Sequence, residues 1–327
     1  MEVVSENKYI NIFSSSHNKL PQKIQIRFGC FFLNFNHFDE YLCRVKYSGI
    51  MKTFKTKSEL TKVLDIQRDK KRSIGFVPTM GALHDGHISL VKMAQDRNDV
   101  VVVSIFVNPI QFNNPEDLKK YPRTFEKDAA MLEANGVDYI FYPEVEEMYP
   151  GKIVEKYDFG DLETVLEGAF RPGHFNGVGV VVKRLFEIVK PNRAYFGKKD
   201  FQQLAIIRNL VEIESIPVEI VPGETKREND GLAMSSRNVR LSRLERTLAP
   251  QIYANLKYTK VNKAEKTPQE LEEAAIENLS NNFDVEYFKI CDGHSLQRIL
   301  SWKETDYPVA LVAAHLGNVR LIDNMEL

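Results

Sequence analysis

Two histidines in a short glycine-containing segment offer the clearest chemistry in the chain. The segment PTMGALHDGH runs from Pro78 to His87 and carries a second imidazole at His84. In the first turn of a helix, side chains three residues apart project to the same side, and Gly86 between them leaves the backbone open to a ligand. A helix N-terminus also presents unpaired N–H groups and the positive end of the helix dipole. The segment therefore predicts a phosphate-binding turn whose imidazoles stabilise charge that develops on an α-phosphorus.

A metal-binding pair, or two incidental surface histidines, is the alternative interpretation of this segment. It is disfavoured because a strand is predicted immediately before the histidines and a helix immediately after them. The sequence contains neither a Walker-type phosphate loop nor the G-x-G-x-x-G pattern of dinucleotide-binding folds. P-loop and dinucleotide functions are therefore disfavoured as well.

Three further polar clusters could complete a nucleotide site. The loop MSSRN begins at Met234 and combines two hydroxyls with a guanidinium, a set of donors that suits phosphate oxygens. The segment GKKDFQQ begins at Gly197, where a lysine can neutralise phosphate and an acid can hold ribose hydroxyls or a cation. The segment NPIQF places Gln111 after an apolar strand, in a position suited to a carboxylate or hydroxyl substrate. Each cluster alone fits a solvated loop, but beside the histidine turn they predict a two-sided clamp on a nucleoside triphosphate.

The composition excludes several classes of protein. The 327 residues include 44 Lys and Arg against 45 Asp and Glu, a net charge of -1, which argues against a polyanion-binding protein. A hydrophobic fraction of 43% is ordinary for a folded globular chain. No apolar run is long enough for a membrane-spanning helix. Cys30, Cys43 and Cys291 match no metal-ligand spacing and predict reduced thiols in a cytoplasmic protein.

Alternating strands and helices must position these loops. From Met51 onward the hydrophobic patterns predict a short strand and an amphipathic helix. They then predict strands over 74–79, 100–108, 137–143, 194–197 and 218–221, with helices over 86–97, 124–135, 177–189 and 201–214. This alternation predicts a doubly wound α/β domain that binds ligands at the carboxyl ends of its strands.

The two ends of the chain differ from this central pattern. After residue 226 the sequence predicts helices over 242–257 and 267–281 and two strands around Gly317, which together form a smaller α+β domain. Residues 1–50 are rich in aromatic side chains, follow no period and resemble neither a secretory signal nor a transit peptide. We expect them to be an atypical extension outside the fold, with Met51 as the biological start, and we expect domains over 51–225 and 226–327.

Five segments together resemble the pantoate–β-alanine ligase family in their order and approximate spacing. They are FVPTMGALHDGH, FVNPIQF, RPGHFNGVGVVVKRLF, YFGKKDFQQL and DGLAMSSRN, and the resemblance covers about residues 51–327. It implies a Rossmann-like nucleotidyltransferase domain followed by a smaller C-terminal domain, and a cytoplasmic homodimer without nucleic-acid or membrane partners. The implied reaction joins (R)-pantoate to β-alanine through a pantoyl adenylate, using ATP with Mg²⁺ as a substrate.

The resemblance also implies roles for individual residues. His87 would be the proton donor, Gln111 and Gln203 would hold pantoate, and Gln111 would also lie near β-alanine. No metal ligand from the protein is implied. The implied ATP-binding residues come from four places in the chain: Met80, Gly81, Ala82, Leu83, His84, Asp85, Gly86 and His87; Gly197, Lys198, Lys199 and Asp200; Lys226; and Met234, Ser235, Ser236 and Arg237.

Two departures and two alternatives accompany this resemblance. Asp85 is commonly Glu in the family, and the position of Lys226 is often aliphatic, although a contact there usually involves the backbone.

Another HxGH-type nucleotidyltransferase would share the histidine segment but would not require FVNPIQF or KKDFQQL. A non-catalytic nucleic-acid-binding module would be expected to show a basic excess, which this chain lacks.

Overall fold

A six-stranded parallel sheet forms the centre of the structure, a computed structural model that describes residues 51–327. The expectation for residues 1–50 lies outside the described part of the chain. The strands are β1 (Lys52–Phe54), β2 (Ile74–Thr79), β3 (Val100–Ile105), β4 (Tyr139–Phe141), β5 (Arg193–Gly197) and β6 (Glu219–Gly223), and their order across the sheet is β1-β4-β3-β2-β5-β6. Every residue of β3 is buried, because helices cover both faces of a parallel sheet.

Eight α-helices lie in this part of the described residues. They are α1 (Lys57–Asp69), α2 (Asp85–Arg97), α3 (Pro115–Lys120), α4 (Phe125–Ala134), α5 (Val145–Met148), α6 (Glu167–Phe170), α7 (His174–Val189) and α8 (Phe201–Ile213). The amphipathic patterns predicted α1, α2, α4, α7 and α8 to within a few residues. Helix α7 is buried on most sides, because its apolar residues pack into the core between α1, α8 and the sheet.

The order in which successive strands are added to the sheet reverses between β2 and β5, and we call this position the switch point. These strands are neighbours, with Phe76 opposite Ala194, yet the chain proceeds from β2 to β3 on one side and from β5 to β6 on the other. The loops that leave β2 and β5 therefore diverge and open a crevice at the carboxyl ends of the strands. The histidine turn follows β2 and the segment beginning at Gly197 follows β5, so both predicted loops lie at this switch point.

The C-terminal part contains three helices packed with an antiparallel sheet. The elements are α9 (Arg243–Leu248), α10 (Gln251–Val261), α11 (Pro268–Ser280), β7 (Asp284–Asp292), β8 (Pro308–Leu316) and β9 (Val319–Glu326). The predicted hairpin is confirmed, and Gly317 has a φ of 55° at its turn. The single helix predicted over 242–257 is wrong. Its first part ends at Leu248, because Pro250 has no N–H to continue the hydrogen-bond ladder.

The two sheets confirm the predicted fold class, a Rossmann-like α/β domain with a smaller α+β part. The described residues form one compact unit, and the domain boundary at residues 225 and 226 stays a prediction. Within residues 51–327, the longest helices are too short or too polar to cross a bilayer.

Candidate active site

The two histidines cap the first turn of α2 with their ring nitrogens. The Nδ1 atom of His84 accepts a hydrogen bond from the Gly86 backbone at 3.1 Å, and the Nδ1 atom of His87 accepts one from the His84 backbone at 3.2 Å. This is a capping box in which imidazoles replace the usual Ser or Thr and Glu. Both Nδ1 atoms accept hydrogen bonds from backbone N–H groups. We therefore assign the proton of each neutral ring to Nε2.

Burial keeps both imidazoles uncharged in the free protein. Burial and, to a smaller extent, the nearby positive charge of Lys199 lower the pKa of His84 to about 4. Burial, the neighbouring His84 ring and Lys199 lower the pKa of His87 to about 3. The ring centroids are 4.1 Å apart, so protonating both rings would place two charges in contact. At neutral pH the pair therefore supplies two uncharged Nε2–H donors.

Gly86 makes room for an imidazole of the protein as well as for a ligand. A Cβ atom at this position would lie 2.8 Å from two ring atoms of His84. The His84 ring folds over the helix N-terminus to reach the Gly86 backbone, and only a residue without a side chain permits this approach. The glycine predicted to open the backbone to a ligand is thus also required for the histidine cap.

Asp128, on α4, holds the turn that precedes the histidines, and sequence reasoning missed it. Its two carboxylate oxygens accept hydrogen bonds from the backbones of Ala82 and Leu83, both at 2.8 Å. The Thr124 hydroxyl donates to the same carboxylate at 3.2 Å. Ala82 has a φ of 50°, a left-handed conformation that is unfavourable for a residue with a Cβ atom. The buried carboxylate, only 1% exposed, stabilises this strained turn.

Gln111 is oriented by a chain of buried hydrogen bonds after β3. Its Oε1 atom accepts from the Asn108 amide at 3.0 Å, and the Tyr149 hydroxyl donates to Asn108 at 2.7 Å. The backbone carbonyl of Gln111 accepts from Nδ1 of His174 at 2.8 Å. Asn108 is 1% exposed and also borders the cleft, so it is a second amide that the sequence analysis did not single out.

The turn after β5 is fixed from the C-terminal sheet. The Asn324 side chain on β9 donates to the carbonyls of Lys198 and Lys199 at 2.9 and 2.8 Å. The Lys198 ammonium is engaged by Glu224 and Glu326 at 2.6 and 2.9 Å. Lys199 instead borders the cleft, and the shortest of its ion pairs is with Asp200 at 3.8 Å. Of the two predicted lysines, Lys199 is therefore the one whose ammonium is positioned for a ligand.

The loop beginning at Met234 closes the opposite side of the cleft. The Ser236 hydroxyl donates to the Ala82 carbonyl at 2.9 Å, which joins this loop directly to the histidine turn. Arg237 donates to Asp117 on α3 at 2.9 Å, and Arg240 donates to the other oxygen of Asp117 at 2.9 Å. Burial alone would raise the pKa of Asp117, but the two guanidinium groups lower it overall.

Most of the predicted residues surround one cavity of about 220 Å³ at the switch point. Those that line it are Met80, His84, Gly86, His87, Gln111, Gly197, Lys199, Asp200, Gln203, Lys226, Met234, Ser235, Ser236 and Arg237. The predicted residues that lie outside its lining are Gly81, Ala82, Leu83, Asp85 and Lys198. Leu83 is buried in the core beneath α2, whereas Asp85 is exposed. Among residues 51–327, no group of three His, Cys, Asp or Glu side chains could hold a metal ion.

The cleft combines uncharged donors, fixed cations and amide groups. The histidine pair can donate to phosphate oxygens through Nε2–H, since the imidazoles already accept the His84 and Gly86 backbone N–H groups, and Lys199 and Arg237 can neutralise phosphate charge. Gln111 and Gln203 offer amides at the inner wall of the same cleft. Such an arrangement can bind a nucleoside triphosphate beside a small polar acceptor and stabilise charge that moves between them.

Comparisons with known proteins agree on one family. The family model described as pantoate-beta-alanine ligase matches residues 52–326. The pantothenate synthetase of Azobacteroides pseudotrichonymphae genomovar. CFP2 is 50% identical over 279 residues, covering 84% of this chain and 99% of that protein. A crystal structure of pantothenate synthetase from Thermus thermophilus has a TM-score of 0.80 and 43% identity, covering 84% of this chain and 99% of that one. A pantoate-beta-alanine ligase from Francisella tularensis, complexed with beta-gamma ATP and beta-alanine, has a TM-score of 0.71 and 36% identity, covering 84% and 97%.

Proposed function

The chain belongs to the pantoate–β-alanine ligase family and is a pantothenate-forming ligase, and we propose that it works through a pantoyl adenylate formed in the cleft described above. ATP, (R)-pantoate and β-alanine are the substrates of this proposal. The main support for the proposal is that His87, Lys199 and Arg237 line one cavity at the switch point of the sheet. The amides of Gln111 and Gln203 border the same cavity and suit a small hydroxy acid.

In the first half-reaction a carboxylate oxygen of pantoate attacks the α-phosphorus of ATP. The bond from that phosphorus to the bridging oxygen breaks, and pyrophosphate leaves with the electron pair. Lys199 and Arg237 supply positive charge beside the phosphates, and Ser235 and Ser236 supply hydroxyl donors. His87 is the proposed donor to the phosphate groups. It enters the reaction as a neutral Nε2–H group, and the incoming phosphate charge raises its pKa from about 3.

In the second half-reaction the amine of β-alanine attacks the activated carbonyl. A carbon–nitrogen bond forms, the bond from carbon to the phosphate oxygen breaks, and AMP leaves with the electron pair, while the amine loses a proton to solvent. A carboxylate becomes a competent acceptor for an amine only when its oxygen has become a good leaving group. The adenylate therefore explains why ATP is consumed in making an amide.

Pantoate-dependent exchange of labelled pyrophosphate into ATP, with β-alanine omitted, tests this proposal. We expect exchange that requires pantoate, and release of AMP and pantothenate when β-alanine is added. If AMP forms only when all three substrates are present and no exchange occurs, the freely reversible adenylate is excluded. Exchange with a different acceptor in place of pantoate would instead favour another nucleotidyltransferase.

Three further parts of the proposal concern the state of the working enzyme. We propose that Mg²⁺ enters with ATP as part of the substrate, that the chain acts as a cytoplasmic homodimer, and that its smaller domain begins near residue 226. The motif resemblance over residues 51–327 supports all three. Sedimentation equilibrium of the purified chain would test the dimer, and a titration of activity with Mg²⁺ at fixed ATP would test the metal.

A further inference from the structure

A small hairpin over residues 226–234 carries two of the predicted ATP-binding residues at its ends. The Met234 backbone donates to the Lys226 carbonyl at 2.9 Å, and Arg227 and Ala233 form an antiparallel bridge beside this bond. Lys226 and Met234 line the cleft, whereas Arg227 lies outside its lining. The position of this hairpin therefore sets the position of one wall of the nucleotide cavity.

Arg227 fixes the hairpin to strand β9 through a buried ion pair. Its guanidinium donates to the two carboxylate oxygens of Asp323 at 2.6 and 3.0 Å, and the Asp323 side chain is 3% exposed. The guanidinium also donates to the Gly231 carbonyl within the hairpin at 3.2 Å, and its central carbon lies 4.2 Å from the centre of the Tyr253 ring on α10. A planar fork of donors that is engaged on three sides is held in one orientation, and it holds the hairpin with it.

The next residue of β9 fixes a second wall of the same cavity. The Asn324 side chain donates to the carbonyls of Lys198 and Lys199, and the Asn324 carbonyl accepts from Arg227 at 3.3 Å. Neither Asp323 nor Asn324 belongs to the lining of the cleft. Because successive side chains of a strand point to opposite faces, two consecutive residues can reach two separate loops.

Strand β9 is itself fixed to the part of the chain that contains the parallel sheet. Near its start, Arg320 donates to both carboxylate oxygens of Glu167 on α6, at 2.7 Å each. The strand also pairs with β8 from Val319 to Glu326. The hairpin and the turn after β5 therefore share one fixed reference.

We propose, on the basis of the proposed function, that Asp323 and Asn324 act together as positioning residues that set the spacing of two ATP-binding loops, with Arg227 as the link to one of them. The desolvation cost of a buried ion pair largely offsets its attraction, so the pair with Arg227 adds little to the net stability of the fold and acts mainly on geometry. Breaking either link frees one loop from the other, so the spacing is lost with the first break and a second break changes little. Two independent supports would instead add their effects in free energy.

The test is a double-mutant cycle with Asp323→Asn, Asn324→Ala and the two changes combined. The readout is the dissociation constant of a non-hydrolysable ATP analogue, measured by isothermal titration calorimetry on the full chain. We expect each single change to raise this constant about 10-fold, the equivalent of about one hydrogen bond, and the double variant to stay within about threefold of the larger single effect. A larger rise in the double variant, towards the product of about 100-fold, indicates independent supports and overturns the proposal. An unchanged constant in either single variant also overturns it.

Glu272→Gln is the matched control for a loss of general stability. Glu272 is also a buried carboxylate of the C-terminal part, 2% exposed, and its hydrogen-bond partners Ile290 and Arg298 belong to neither loop. This variant should unfold at a lower temperature than the wild type and bind the analogue with an unchanged constant. An equal loss of binding in Glu272→Gln would assign the effect to general destabilisation and overturn the proposal.

Arg227→Lys tests the same link from the side of the hairpin. Lysine keeps the positive charge but lacks the fork of donors, so this variant should weaken analogue binding about as much as Asp323→Asn does, and it replaces Asp323→Asn in the cycle if that variant does not fold. Full binding by Arg227→Lys would contradict the role of the fork and overturn the proposal. Absence of pantoate-dependent exchange in the wild-type chain would refute the proposed function, whereas the analogue titrations test the spacing separately.

Discussion

Replacing Asp128 by asparagine should damage nucleotide binding although Asp128 lies outside the cleft lining. The carboxylate accepts two backbone N–H groups at 2.8 Å, from Ala82 and Leu83. An amide has one oxygen to accept one of these bonds, and its NH₂ group would face the other N–H. Loss of a charged hydrogen bond and of a partner for a buried donor should lower the free energy of unfolding by about 2–3 kcal/mol.

The same change should impair catalysis by shifting the turn that precedes His84. A displacement on the order of 1 Å at a positioning element costs about 10²-fold in rate. We therefore expect kcat/KM for ATP in the pantoate-dependent exchange to fall about 100-fold, whereas the KM for β-alanine in the complete reaction should stay near its wild-type value.

Glu126→Gln is the matched control, because it makes the same acid-to-amide change in the first turn of α4 at an exposed position. It should leave both the exchange kinetics and the thermal unfolding temperature unchanged. If Asp128→Asn keeps kcat/KM for ATP within about threefold of the wild type and unfolds at the same temperature, the turn does not depend on this carboxylate and the reasoning is refuted.

Three other predictions use the same assays. His87→Asn should lower kcat of the exchange about 10²- to 10³-fold, as expected for loss of one preorganised donor, and retention of full exchange would exclude that role. Lowering the pH from 7 to 5 should destabilise the fold, because the unfolded chain binds more protons between the ordinary histidine pKa near 6.5 and the value of about 4 for buried His174. That group alone contributes about 2 kcal/mol at pH 5, so urea unfolding of His174→Gln should show a smaller pH dependence than the wild type. Tyr149→Phe removes the hydroxyl that donates to Asn108 at 2.7 Å and should raise the KM for pantoate about fivefold; an equal rise in the KM for ATP would contradict a local effect.

The sequence predicted those features that depend on local patterns. The mostly apolar run in β3 indicated a buried strand, and the loops that follow β2 and β5 were located because ligands bind at the carboxyl ends of the strands of a parallel sheet. The break at Pro250 was also readable locally and was overlooked, since a proline inside a helical pattern ends the helix near that residue. The short helices α3, α5 and α6 have too few residues to show a hydrophobic period.

The supporting residues could not be located in this way because they act across long sequence separations. Asp128 reaches a turn 45 and 46 positions earlier, and Arg320 reaches Glu167 across 153 positions. No spacing in a single sequence signals such contacts. The histidine cap is different, because its local spacing was visible. The two imidazoles were interpreted as phosphate donors, with a metal pair or incidental surface histidines as the alternatives, so their role as acceptors of backbone N–H groups was missed.

The hydrogen bond from the Asn324 side chain to the Lys199 carbonyl ties the nucleotide-binding turn to the last strand that the ribosome makes. The two residues are 125 positions apart, and all six parallel strands leave the ribosome before β9 does. A nascent chain that ends before β9 has all six parallel strands but lacks the Asn324 amide that binds the Lys198 and Lys199 carbonyls. This wall of the nucleotide cleft is therefore completed only when the last strand has been synthesised.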